Sequence, residues 1–323
     1  MMPSSIERSV YVLLTSIIVV GTAYSVLNET FLDTSDPLLT GLPHPLGGTH
    51  HFANKKNWLN VFFIKKAWAW TTAVFLLGWL AGLTSTPKPS KNQSTQGATT
   101  RTTTRSQNYR LLGTYFVLTA FWILFTTWFF GPALFERVVI ASGGECLLPG
   151  PVPGMHITVP NEYCYTRSKI STETHPELFQ SFLSTPNIEG IEATFVCPAS
   201  DPNCVQNIRG VPRLRRGHDV SGHLFLLTVS ILLLTQQLSV ALETRRSWGT
   251  LQTISVGLNS VMLALWLLSA ATTSLYFHSP SEKVTGFLLG VVAYAASQVV
   301  VSLIFSTPKT RYPNSSSTEA KGR

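Results

Sequence analysis

The sequence predicts an all-α, polytopic membrane protein with six transmembrane helices and a cysteine-containing loop. Two observations carry this prediction. Only 12% of the 323 residues are charged and 45% are hydrophobic, whereas soluble domains carry about 25% charged residues; mean hydropathy is +0.20. Six apolar stretches also approach the roughly 20 residues with which a helix crosses about 30 Å of hydrocarbon. They are Val10–Leu27, Ala67–Leu83, Leu111–Phe130, Gly222–Leu242, Leu251–Tyr276 and Val284–Phe305.

The chain therefore reads as one six-span membrane domain over 1–323. Arg8 precedes the first stretch, as in a signal peptide, but five later spans favour an uncleaved anchor. The second stretch is the shortest, and Val61–Ile64 extends it if Lys65 and Lys66 reach water or polar protein. Residues 84–110 are rich in Ser, Thr, Asn and Gln and read as a flexible linker. Residues 131–221 form a long loop, and 306–323 a polar tail.

Lysine and arginine bias orients the spans, since cytoplasmic flanks carry the excess. The linker holds Lys88, Lys91, Arg101 and Arg105 without an acid. Arg245 and Arg246 follow the fourth span, and Lys309, Arg311, Lys321 and Arg323 lie in the tail. These segments and both termini are expected in the cytosol, with 28–66 and 131–221 opposite. Lys55, Lys56, Lys65, Lys66, Arg213, Arg215 and Arg216 oppose this assignment and need another explanation. All four cysteines, Cys146, Cys164, Cys197 and Cys204, fall in the 131–221 loop. An oxidising lumen would pair them, with connectivity left open. Their spacing does not fit a zinc site, and no metal is expected. Asn28-Glu-Thr30 is a glycosylation sequon on the same side, close to the first span.

Chemistry concentrates at the fourth and fifth spans. The fourth opens in Gly217-His-Asp-Val-Ser-Gly-His223, and the fifth closes in Leu-Tyr-Phe-His278-Ser. Antiparallel spans bring His223 and His278 to one membrane face, and ionisable groups at such a boundary are functional candidates. Neutral imidazole is a nucleophile towards phosphorus, and imidazolium can protonate a departing oxygen, so the pair suits phosphoryl transfer. The equatorial phosphoryl oxygens then need cations. Arg213, Arg215, Arg216 and Lys283 are the candidates, with Lys65 and Lys66 nearby in topology. Ser221, Asp219 and Glu282 are candidates for orienting an imidazole. His218 has no evident reason to turn inward. His50-His51 reads as solvated loop, because adjacent residues on an extended chain point to opposite faces. Neither a Walker-type phosphate loop nor a G-x-S-x-G elbow is present. Net charge +8 reflects membrane flanks rather than nucleic-acid binding.

Three blocks carry a resemblance: Asn54-KKNWLNVFFIKKAWAWTT, Gly217-HDVSGHLFLLT and Tyr276-FHSPSEKVTG. With the six-span layout they resemble the fat-storage-inducing transmembrane family of the endoplasmic reticulum, as a fungal member. That family in turn resembles the lipid phosphate phosphatases. The resemblance implies that Ser221-Gly222-His223 is the second phosphatase motif, with His223 as proton donor, and that His278 is the nucleophile. Glu282 stands near the place of the phosphatases' orienting aspartate. Thr272 stands where they carry an arginine, and their first lysine/arginine motif has no counterpart. The implied activity is lumenal cleavage of fatty acyl-coenzyme A to acyl 4′-phosphopantetheine and adenosine 3′,5′-bisphosphate, without a cofactor. The implied role is in lipid-droplet formation and endoplasmic-reticulum membrane maintenance.

Two other classes compete. A non-catalytic diacylglycerol- or triacylglycerol-binding protein would use the histidines as polar anchors. A phosphatase acting on phosphatidate or lysophosphatidate would use the same histidines on another headgroup. A transporter is disfavoured, because no charged residue sits mid-span in the last three helices and no repeat is visible. The orientation is testable by glycosylation mapping. An acceptor inserted near Ser184 should be modified and one near Thr99 should not; the reverse pattern would place the histidines on the cytosolic side.

Overall fold

The computed structural model describes residues 4–32, 43–84, 96–127, 132–150, 156–183, 208–243 and 248–305. Cys197, Cys204, Arg245, Arg246, residues 85–95 of the expected linker and the 306–323 tail lie outside them. Among the described residues six helices are long and apolar enough to cross a membrane, and the protein is a multi-pass membrane protein. The helices are α1 (Ser5–Leu27), α2 (Ala67–Thr84), α3 (Gln96–Thr126), α4 (Leu134–Ala141), α5 (Asn161–Thr166), α6 (Pro176–Leu183), α7 (Gly222–Glu243), α8 (Thr250–Tyr276) and α9 (Pro280–Ile304). The spans come from α1, α2, α3, α7, α8 and α9.

Helix α7 is the centre of the bundle. Among its apolar residues it carries Thr228, Ser230, Thr235 and Gln237, all buried in protein rather than facing lipid; 78% of its spanning window is buried, against 22–39% in the other five. Leu224, Phe225 and Leu233 on α7 pack into one core with Ile18 of α1, Phe75 of α2 and Trp266 of α8. Glycine sets how closely α9 approaches. A Cβ at Gly286 would sit 2.5 Å from the Ser221 carbonyl oxygen, and one at Gly290 would sit 2.7 Å from Thr228 Cβ. Small residues four apart let membrane helices meet at backbone distance, and here they bring the start of α9 against the start of α7.

The second span extends as the sequence allows: it begins at Leu59, through a π-turn (Leu59–Phe63) and a 3-10 turn (Ile64–Lys66), with Lys65 and Lys66 exposed. One element boundary differs from the sequence expectation. Helix α3 begins at Gln96, so the second part of the 84–110 segment is helical rather than irregular. Threonine and serine depress intrinsic helicity only slightly, and continuity with an apolar span outweighs that.

The 131–221 loop also contains sheet. Strands β1 (Glu145–Pro149), β2 (His156–Val159) and β5 (Arg213–Arg215) form an antiparallel sheet in the order β2-β1-β5, while β3 (Ile170–Ser171) pairs with β4 (Arg209–Gly210). The strands are too short for a period-two pattern to announce them. One face of the larger sheet carries Cys146, Leu148, Ile157 and Val159 into a second small core. There Cys146 is disulfide-bonded to Cys164 of α5. Closing a loop of this size removes about 3 kcal/mol of chain entropy from the unfolded state, a useful supplement for so small a core.

Helix packing yields a paired prediction. Gly286→Ala should destabilise the protein by about 1–3 kcal/mol through overpacking and lower its thermal midpoint in detergent. Gly257→Ala, with nothing within 4 Å of the added Cβ, should be neutral or slightly stabilising. Equal midpoints for the two variants would contradict the close-contact account.

Candidate functional site at the histidine end of the bundle

The α8–α9 connection is only Phe277, His278 and Ser279. Phe277 is extended and makes a parallel bridge with Leu32, whose N–H donates to the Tyr276 carbonyl (3.1 Å). Thr30 Oγ1 donates to the Leu275 carbonyl (2.8 Å), so the segment after α1 clamps the end of α8. His278 then adopts a left-handed backbone, φ +64°, which costs of order 1 kcal/mol or more for a non-glycine residue and marks constrained, often functional, positions. Ser279 caps α9 in a capping box with Glu282.

Glu282 is 1% exposed and holds the site together. Its Oε2 accepts from the Ser279 N–H (2.9 Å) and stands 3.5 Å from His278 Nδ1. Its Oε1 accepts from the Asp219 N–H (3.3 Å), and its backbone carbonyl accepts from the Ser221 N–H (3.1 Å). Hydrogen bonds to a charged group contribute about 1.5–3 kcal/mol each. One carboxylate therefore joins the α9 cap, the His278 turn and the segment before α7. Ser221 is fully buried, and its Oγ accepts from the Leu224 N–H (3.4 Å), capping α7. Its hydroxyl is thus engaged with the α7 cap rather than with either imidazole.

Cap and turn together place the imidazoles opposite one another. The His223 and His278 ring centroids are 6.3 Å apart with the planes inclined at 55°. His223, on the first turn of α7, is exposed, whereas the His278 side chain is 13% exposed. The Glu282 carboxylate lies beside His278 Nδ1 without a hydrogen bond to it. The start of α7 and the α8–α9 turn thus bring the two rings side by side.

The remaining candidates separate. Arg213 and Arg215, two apart on β5, share one sheet face and line an open cavity of about 1050 Å³. Arg216 has a left-handed backbone, leaves that alternation and pairs with Glu145 (2.9 Å). Lys283 is fully buried, and its ammonium donates to Ser25 Oγ and the Ser274 carbonyl (2.7 Å each), 5.2 Å from the centre of the Phe31 ring. Lys283 thus ties α1, α8 and α9 together, and this placement does not fit phosphate binding. His218 shares a hydrogen bond with Thr285 Oγ1 (2.9 Å), consistent with a peripheral role. Thr272, at the phosphatase-arginine position, is buried and bonded to the Ser269 carbonyl. Asp219 opens onto a smaller cavity of about 420 Å³, with Arg215 and Arg216 also in its wall. Protein crowding its remaining sides pushes its carboxyl above the ordinary range; His278 and Arg215 oppose the shift and Glu282 adds to it.

Sequence reading passed over His44. It is buried and its Nδ1 accepts from the Leu46 N–H (3.1 Å), so Nε2 carries the proton donated to the Tyr276 carbonyl (2.9 Å). Desolvation lowers its pKa, which keeps the ring neutral. A single histidine in a Pro/Gly-rich turn gives no sequence signal for a contact 232 residues away. Among the described residues no group of three or more His, Cys, Asp or Glu side chains could hold a metal ion.

The fat storage-inducing transmembrane protein (FIT) family model matches residues 48–255 and 243–299, and the chain belongs to that family. It is similar to the acyl-coenzyme A diphosphatase fit1 of Schizosaccharomyces pombe, with 25% identity over 79% of this chain and 75% of that protein. It is likewise similar to the acyl-coenzyme A diphosphatases FITM2 of Sus scrofa and Homo sapiens, each with 26% identity over 76% of this chain and 70% of the relative. No solved structure matches the chain.

Asp219 provides a pH test. A carboxyl whose folded pKa exceeds its unfolded value costs stability once pH rises through the folded value; this cost vanishes below the unfolded pKa. Asp219→Asn should therefore raise the thermal midpoint at pH 7 and lose that advantage near pH 3.5. An advantage that grows as pH falls would reverse the assigned direction.

Proposed function

We propose that this protein is a fatty acyl-coenzyme A diphosphatase of the endoplasmic-reticulum membrane. It cleaves the substrate to acyl 4′-phosphopantetheine and adenosine 3′,5′-bisphosphate. The observation that carries the reading is the facing pair His223 and His278 with Glu282 behind the latter, in a chain whose relatives are named acyl-coenzyme A diphosphatases. The likeness of Ser221-Gly222-His223 and His278 to lipid phosphate phosphatase motifs supports the same roles.

In the proposed mechanism His278 Nε2 attacks one phosphorus of the diphosphate. The P–N bond forms as the bridging P–O bond breaks, and His223 donates its proton to the departing oxygen. Glu282 stabilises the positive charge that develops on His278. His223, now neutral, takes a proton from water, whose oxygen attacks the phosphohistidine and restores the free imidazole. The acyl chain lies among the apolar helices while the nucleotide remains in water. Both termini are assigned to the cytosol and the histidine site to the lumen, in keeping with lysine/arginine bias and with a disulfide in the 131–221 loop. The physiological role is support of lipid-droplet formation and membrane homeostasis.

Purified protein should convert acyl-coenzyme A to the two named products faster than it dephosphorylates phosphatidate. His278→Ala should abolish turnover. His223→Ala should lower kcat about 10²–10⁴-fold, the usual contribution of general acid catalysis. Glu282→Gln, which keeps an acceptor for Ser279 but loses the charge at His278, should fall in the same range, and His218→Ala should change kcat far less. Wild-type rates from monodisperse His223→Ala and His278→Ala proteins would support the lipid-binding alternative. Preferential release of phosphate from phosphatidate would support the lipid phosphatase.

A further inference from the structure

The sheet of the 131–221 loop has two unlike faces. Antiparallel register places Arg215 opposite Glu145, Arg213 opposite Leu147, and Pro149 opposite His156. Directly paired residues share a face, so Arg213, Arg215, Glu145, Leu147, Pro149 and His156 all lie opposite the disulfide-bonded core, with Glu145 paired to Arg216. That face forms one wall of the cavity of about 1050 Å³; the other wall is the turn region before α2, with His44, Gly47, Gly48, Asn54, Lys55 and Lys56.

Four cations, Lys55, Lys56, Arg213 and Arg215, converge there. Among the described residues none of them lies in an ion pair, while Arg216 and Arg167 pair with Glu145 and Glu136. Burial and the nearby Arg215 charge both lower the Lys55 pKa. Asp219 meets the Arg215 charge in part, so Lys55, Lys56 and Arg213 leave the cleft with an excess of positive charge, which favours an anion there. The cleft is also joined to the catalytic turn. His44 in its wall donates to the Tyr276 carbonyl, two residues before His278, and its ring lies 5.9 Å from that of Phe277. Between the cations, Leu147, Pro149 and Val211 supply apolar surface, as a heterocyclic base requires.

We propose that this cleft is the subsite for the adenosine 3′,5′-bisphosphate half of the substrate. Lys55, Lys56 and Arg213 bind the ribose 3′-phosphate, and Arg215 faces the diphosphate. The proposal rests on the acyl-coenzyme A reading and extends it to a determinant of specificity: the 3′-phosphate lies away from the bond that breaks, so its recognition lowers KM. It also accounts for Lys55, Lys56, Arg213 and Arg215, whose charges ran against the orientation expected from sequence.

The test compares acyl-coenzyme A with acyl-3′-dephospho-coenzyme A as substrates of the wild type and of the Lys55→Gln/Lys56→Gln double variant. Both lysines are exposed, and folding is checked by monodisperse elution. The wild type should prefer the 3′-phosphorylated substrate by about 10–100-fold in kcat/KM, mostly in KM, the scale of charge-assisted bonds. The double variant should bring that preference towards one. A wild type indifferent to the 3′-phosphate, or a double variant retaining the full preference, would overturn the subsite. A second arm measures calorimetric binding of adenosine 3′,5′-bisphosphate and adenosine 5′-monophosphate. A wild-type protein that turns over neither substrate would refute the acyl-coenzyme A reading. The binding arm would then decide the cleft by itself: tighter binding of the bisphosphate, lost in the double variant, supports it, and equal binding overturns it.

Discussion

The histidine end of this bundle depends on the buried carboxylate of Glu282. A charge in so enclosed a position is costly unless hydrogen-bonded and paired, and its partners meet that requirement. They are the Ser279 and Asp219 N–H groups and the His278 ring. Because these partners come from two segments about 60 residues apart, satisfying one charge also sets the distance between the α7 and α9 starts. Positioning His278 and capping the helix are thus a single event. The left-handed backbone at His278 is tolerated because this network and the Leu32–Phe277 bridge hold the turn from both sides.

A second buried charge works in the opposite direction. Lys283, next in sequence to Glu282, points about 100° further round the helix and meets Ser25 and Ser274. Desolvating its ammonium is offset by two short hydrogen bonds and the Phe31 ring. Neighbouring residues at the start of α9 therefore have unlike roles: one braces the His278 turn, and the other fastens α9 to α1 and α8. Gly286 and Gly290 meanwhile admit α7 to backbone contact with α9.

Sequence alone determined the six spans, because hydrophobic length is a local property that bilayer thickness reads directly. It also placed His223 and His278 at one end, since antiparallel succession requires it, and offered Glu282 beside Asp219 as a group to orient an imidazole. It did not reveal the small sheet, whose strands of two to five residues are shorter than a readable period. Helix from Gln96 was hidden by Ser/Thr-rich composition. His44 was hidden because its partner is a backbone carbonyl, which leaves no trace in side-chain pattern.

Only the tertiary structure decided which cations serve which task. Lys283 stood five residues from His278 and looked available, but helix rotation turned it into the protein. Lys55 and Lys56 lie more than 150 residues from Arg213 and Arg215, yet strand register and a turn docked on α8 bring the four to one cleft. A charge in sequence has a position along the chain but no direction. Direction comes from the face of the strand and the rotation of the helix, and these are set by packing between distant segments.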